Sequence, residues 1–177
     1  MAARRLSRRQ KQLLDFAHFI TSVAWLGAVL CILAIASMAR VVDDPETRHA
    51  AYAILADLDT TVMIPMALGA LFTGVLLAVL TKWGLTRFWW VLVKLVVTIV
   101  LTGGGTFALH QQVQEAVVAT ASGGVAPAGG LWLVVAIGVK VSLLAALILI
   151  SVMKPWDRTS WGERALVRGT QRDVSER

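Results

Sequence analysis

The chain has 177 residues, room for one compact unit rather than several. Hydrophobic residues make up 57% and charged residues 16%, which excludes an ordinary soluble domain. The net charge of +6 is no nucleic-acid signature, because the positive residues sort by segment along an apolar chain.

Four apolar stretches reach the roughly 20 residues that cross hydrocarbon as a helix. They lie at about residues 14–38, 60–81, 88–110 and 131–153. In lipid an open-ended segment satisfies its backbone only as a helix. The expected fold is all-α: a polytopic membrane protein built as an antiparallel four-transmembrane-helix bundle. Residues 1–12 read as a basic tail, 13–153 as the bundle and 154–177 as a second tail. The tails and the short second loop hold thirteen Lys and Arg; the first and third loops hold only Arg40 and Arg48. The positive-inside rule then places both termini in the cytoplasm. Cys31 is the single cysteine, so no intrachain disulfide or one-chain thiolate cluster is possible.

The N-terminal tail, with Arg4, Arg5, Arg8, Arg9 and Lys11, is expected to stay loose until Lys11 and to lie against anionic headgroups. The first stretch is longer than a signal-peptide core and reads as an uncleaved helix. His18, Ser22 and Trp25 share one of its faces. Asp15 lies one turn before His18 and is placed to orient its ring. Gly27 invites a close neighbour.

Asp44-Pro45 is a helix-start signal, so a short helix is expected from Thr47 to Leu58, carrying His49 and Tyr52. Thr61, Pro65, Gly69 and Thr73 recur every fourth residue as a strip for packing on another helix, with a kink at Pro65. The loop from Lys82 to Arg87 is short, and Trp83, Trp89 and Trp90 mark the membrane interface.

The third stretch carries Lys94, Thr98, Thr102, Thr106 and His110, spaced by four. Four residues overshoot a helical turn by about 40°, so the strip should wind round the helix. Gly103-Gly-Gly105 weakens the helix and invites close approach. Residues 111–130 read as a flexible loop. The fourth stretch places Lys140 near mid-bilayer with no acid obviously positioned to neutralise it, and Gly138, Ser142 and Ala146 form a small-residue strip. These strips suit homodimerisation or packing within one bundle.

Ionisable groups inside a membrane are costly and usually functional. Depth along antiparallel helices lets His18 and Lys94 share a level. A histidine facing a bundle interior is a common haem ligand, with its other ring nitrogen held by a carboxylate such as Asp15. Lys94 would then pair with a propionate, and Trp25 is the tryptophan deep enough to face the ligand. The blander reading is that His18 bonds a neighbouring helix and Lys94 snorkels to the interface. His49 and His110 form a second, weaker metal pair, since two ligands are too few for a closed site.

Three stretches carry a family resemblance. They are His18-Phe-Ile-Thr-Ser-Val-Ala-Trp25-Leu-Gly27, Ile64-Pro65-Met66 with Gly74, and Trp90-Val-Leu-Val-Lys94-Leu with His110. Together they resemble the four-helix membrane proteins grouped around HemJ-type protoporphyrinogen oxidase and the CopD-like copper-resistance proteins. The resemblance implies haem b on His18 and a functional role for Lys94, which is the candidate catalytic residue. The chain departs from that pattern at Ile35-Ala-Ser-Met-Ala-Arg40, where the family has an aromatic–histidine pair.

The expected function is therefore a bacterial inner-membrane protein that binds haem b or a porphyrin-like ligand between the first and third spans. If it is an enzyme, it is a membrane oxidoreductase passing electrons to a quinone or respiratory-chain partner. The alternatives are a non-enzymatic membrane subunit, a small transporter or a copper-handling protein. The lipid bilayer is the expected partner, and nucleic acid is not.

Overall fold

The computed structural model of the protein describes residues 7–81, 85, 87–153 and 159. The inner-loop residues 82–84 and 86, and most of both expected tails, lie outside the described residues.

Among the described residues six α-helices follow in chain order: α1 (Arg8–Val41), α2 (Pro45–Leu58), α3 (Ile64–Leu80), α4 (Trp89–Val100), α5 (Thr106–Thr120) and α6 (Leu131–Met153). A π-helical turn, Asp59–Met63, joins α2 to α3 without a break, and another, Leu101–Gly105, joins α4 to α5. The result is four continuous rods, each long and apolar enough to cross a membrane. They run antiparallel. The end holding the start of α1 and the end of α6 is called here the terminal end.

Local sequence explains the helix starts. Ser7 caps α1 reciprocally: its hydroxyl accepts from the Gln10 amide and the Gln10 side chain accepts from the Ser7 amide. The helix therefore begins at Arg8, not after Lys11 as expected. Asp44 accepts from the Thr47 amide at 2.9 Å, and Pro45 opens α2. Exposure holds the Asp44 carboxyl near water, and the Thr47 hydroxyl and amide pull it below the ordinary aspartate value of 3.8.

The second and third rods exceed the predicted spans. The Pro45–Leu80 rod has 36 residues, or about 54 Å against roughly 30 Å of hydrocarbon. The predicted short helix and second span are thus one rod. Residues 111–120 continue as α5 where a loop was expected. A long apolar-and-polar helix pair, α2 against α5, is what lets both extend beyond the hydrocarbon. Their apolar faces, with Tyr52, Leu55, Leu109 and Val113, bury each other.

α1 packs on α2, α3 and α6, while α4 packs on α3 and α6. The core runs through Trp25, Val29, Ile32, Tyr52, Leu55, Met63, Ile137 and Leu144. Large apolar side chains such as Phe16, Phe72, Phe107 and Trp132 point outward. Only 22–28% of each apolar window is buried within the protein, so the remaining surface matches a lipid solvent.

Glycine has a positional role at few places. At Gly69 a methyl group would meet Thr21 Cγ2 at 3.0 Å and Thr73 bonds His18, so the Gly69–Thr73 part of the strip packs on α1, whereas Thr61 and Pro65 are exposed. Gly130 has φ +71°, and a methyl group there would strike the Tyr52 hydroxyl at 2.5 Å. Nothing approaches Gly27, Gly103, Gly104 or Gly138. The triple glycine forms a π turn instead of a docking surface.

Candidate functional site: a cavity and a buried polar cluster

A cavity of about 540 Å³ opens among all four rods at the terminal end. α1 contributes His18, Ser22 and Trp25, α3 contributes Gly74, and α4 contributes Lys94 and Thr98. Leu144, Leu147 and Ser151 of α6 complete the wall. Sequence reasoning placed a ligand between the first and third spans; the fourth also walls the space. His18, Asp15, Trp25 and Lys94 all line it. Its size falls within the roughly 300–1,000 Å³ of small-molecule sites.

The His18 ring is fixed on two sides. Its Nδ1 lies 3.0 Å from the Thr73 hydroxyl. That hydroxyl donates at 2.6 Å to the Gly69 carbonyl, so its one proton is committed. Nδ1 must then donate, which leaves the lone pair on Nε2. The ring also lies over Gly74, where a methyl group would sit 3.1 Å from His18 Cε1. Thr73 and Gly74 escaped notice as site residues because both read as packing positions. The signal was present: Thr73 repeats with Gly69, and Gly74 belongs to the quoted resemblance.

Asp15 does not hold the ring. It pairs with Lys11 at 2.5 Å, one turn back along α1, and the ring nitrogen is held by Thr73. Both partners of the ion pair are about half exposed, so it marks the wet mouth of the cavity. Lys94 lines the same cavity as His18, and its Nζ donates to Ser151 at 3.2 Å. The Lys94 ammonium is thus turned into the bundle toward α6.

A second polar cluster lies farther along the bundle. Lys140 is 2% exposed. Its Nζ donates to the Thr106 hydroxyl at 3.0 Å and approaches Met63 Sδ at 3.7 Å. It also stands 5.8 Å from the Trp25 ring centroid. An acid is close enough to act on its charge after all: Asp59, 1% exposed, in the first π turn. Asp59 Oδ2 accepts from His110 Nδ1 at 2.7 Å. Asp59 reads in the sequence as a flank of the second span. The continuous α2–α3 rod carries it inside.

His49 and His110 do not form a metal pair. His49 Nδ1 is bonded to Thr120 at 3.1 Å and His110 Nδ1 to Asp59. These contacts fix the antiparallel register of α2 and α5, with the two histidines ten residues apart on it. That is roughly 15 Å along the helix pair. Among the described residues no group of three or more His, Cys, Asp or Glu could hold a metal ion.

The i+4 strip connects the two regions. Lys94 and Thr98 line the cavity, Thr106 bonds Lys140 and His110 bonds Asp59. In a regular helix this spacing would wind away from the interior. The π turn at Leu101–Gly105 places an extra residue in one turn and offsets part of that drift. Comparison with family models, curated proteins and solved structures finds no match.

Proposed function

We propose that this is an integral membrane protein that binds haem b, or a porphyrin-like ligand, in the terminal-end cavity. The observation that carries the reading is the fixed His18 ring on the cavity wall, with Nδ1 committed to Thr73 and Nε2 left with the lone pair. Neutral imidazole with one nitrogen anchored is the form that ligates iron. The donor set fits the group: one imidazole, apolar walls from α3, α4 and α6, and a cation across the cavity.

In that site His18 would hold the iron, and Thr73 orients His18. Gly74 leaves room for the ring. Lys94 would neutralise a propionate, and Trp25 lines the inner end of the cavity. When bound, haem supplies one-electron chemistry at its iron; the residues bind it, orient it and exclude water. The resemblance of the His18, Pro65 and Lys94 segments to the HemJ-type group points the same way. On this reading the protein serves redox chemistry in a bacterial inner membrane, with both termini cytoplasmic and a quinone or respiratory-chain partner.

The test is an optical titration of the purified protein with haemin. Saturation at one haem per chain is expected, with a sharp Soret band. His18→Ala should abolish that band, and Lys94→Ala should weaken binding while leaving its shape unchanged. An equal response of wild type and His18→Ala would remove His18 as the ligand.

A further inference from the structure

The cluster at Asp59, His110 and Lys140 lies outside the cavity and has features that a purely structural ion pair does not need. Asp59 is almost wholly buried, yet its Oδ1 has no hydrogen-bond partner among the described residues. Trp25 Nε1 and Thr102 Oγ1 are likewise buried and unpartnered. Native interiors pair nearly all such atoms with protein or with water. Lys140 makes no direct ion pair with Asp59. It spends its donors on Thr106 and on a methionine sulfur, a weak acceptor.

The backbone is irregular at the same level. Asp59 opens one π turn, Thr102 lies in the other, and Thr106 follows it directly. Single π turns within α-helices recur at functional sites.

The cluster also has a direction. The His110 side chain is 32% exposed, and α5, which carries it, runs away from the terminal end. Asp59 and Lys140 are sealed. Beyond Lys140 stands Trp25, the residue that both contacts Lys140 and lines the cavity. Beyond Trp25 the cavity runs past Thr98, Lys94 and Ser151 to the wet mouth at Lys11 and Asp15.

We propose that Asp59, His110 and Lys140 form a proton-relay site that leads from the opposite face of the bundle to Trp25, which closes it against the cavity. In the first step His110 Nε2 takes a proton from outside water. The Nδ1–H bond breaks as an Oδ2–H bond forms on Asp59, leaving a neutral imidazole and a neutral carboxylic acid. In the second step the carboxyl turns so that its O–H faces away from His110, and the acid proton passes through one bridging water to Lys140. Lys140 can then release one of its own protons only to water on the cavity side. In the wild type Trp25 stands there, its indole N–H donates and does not accept, and the relay stops. With that ring removed, a cavity water takes the proton as Lys140 receives this one. Asp59 returns to carboxylate, Lys140 remains ammonium, and His110 resets by exchange of its ring tautomer. One proton has moved and no charge is left over.

The charged and titratable groups around this path are few. α6 presents Lys140, the first π turn Asp59 and α5 His110. α1 presents the uncharged Trp25. Farther out stand His49 and Tyr52 of α2 and Arg40 of α1, and Asp57 and Glu115 face outward. The inference does not depend on which ligand the cavity takes.

The experiment uses the full chain in vesicles with a trapped pH-sensitive dye and an imposed pH step. Wild-type vesicles should hold the gradient, because Trp25 closes the path. Trp25→Ala should raise proton flux roughly tenfold. Adding Asp59→Asn to Trp25→Ala should return the flux to the wild-type rate. Leaky wild-type vesicles, a folded Trp25→Ala protein that does not leak, or a leak that Asp59→Asn leaves intact would each overturn the proposal. Should Trp25→Ala fail to fold, Trp25→Leu takes its place, with the same results expected and the same results overturning the proposal.

Discussion

Lys94 and Lys140 both sit within apolar helices, and their surroundings differ. Lys94 borders an open cavity, bonds one serine and shares the cavity wall with His18. Lys140 is packed shut against Thr106, Met63 and Trp25, with Asp59 near enough to balance its charge. A membrane lysine is thus no single signal. Where the walls part, the ammonium is available to a ligand. Where they close, it needs an acid within the protein.

The largest expected effect separates the two regions by stability. Asp59→Ala leaves His110 and Lys140 without their acid, and losing one partner of a buried charged set costs roughly 3–5 kcal/mol. Thermal unfolding in detergent should show a large fall in Tm. Haemin affinity measured below that Tm should hardly change, since Asp59 does not line the cavity. A loss of affinity without a fall in Tm would merge the two regions.

Thr73→Val should do the reverse. It removes the group that holds His18 Nδ1, and loss of such an outer partner typically weakens metal binding 10–100-fold. Thr73→Ser should restore most of the affinity, and Tm should move little in either variant. Gly74→Ala should act on the same ring by crowding. The added methyl stands 3.1 Å from His18 Cε1, so the ring must shift. An affinity loss of about tenfold, or roughly 1.4 kcal/mol, is expected. Unchanged titration curves would mean that the ring position does not govern binding.

The smallest effect lies outside both regions. The Asp44 carboxyl is held below its ordinary value by Thr47, so its capping contribution is complete above the unfolded value of 3.8 and is lost as pH falls through the lower folded value. Stability measured against pH should decline slightly in that acid window. Asp44→Asn caps without titrating and should lack that part of the decline.

The bundle was legible because length and apolarity fix a membrane helix almost alone. The Asp44–Pro45 start was legible because capping chemistry is local. His18, Asp15, Trp25 and Lys94 could be grouped because antiparallel rods turn residue number into depth, and all four line the cavity. Contacts set by register were not legible. The Thr73 hold on His18 spans 55 positions and the His110–Asp59 bond spans 51. Asp15 was assigned to His18 because it is one turn away, yet Lys11 is one turn away on its other side and carries the opposite charge. The π turns were hidden as well. Gly103 to Gly105 announces a weak helix, but whether it breaks, bends or widens depends on the Thr106 hydroxyl, which bonds the Leu101 carbonyl five residues back at 3.0 Å.

The most direct measurement is the absorption spectrum of the protein as purified from cells supplied with haem precursor, before and after dithionite. A Soret band that sharpens on reduction, and is lost in His18→Ala but kept in Asp59→Asn, is the predicted result. A featureless wild-type spectrum, from protein shown to be folded and monodisperse, would contradict a haem site in the cavity.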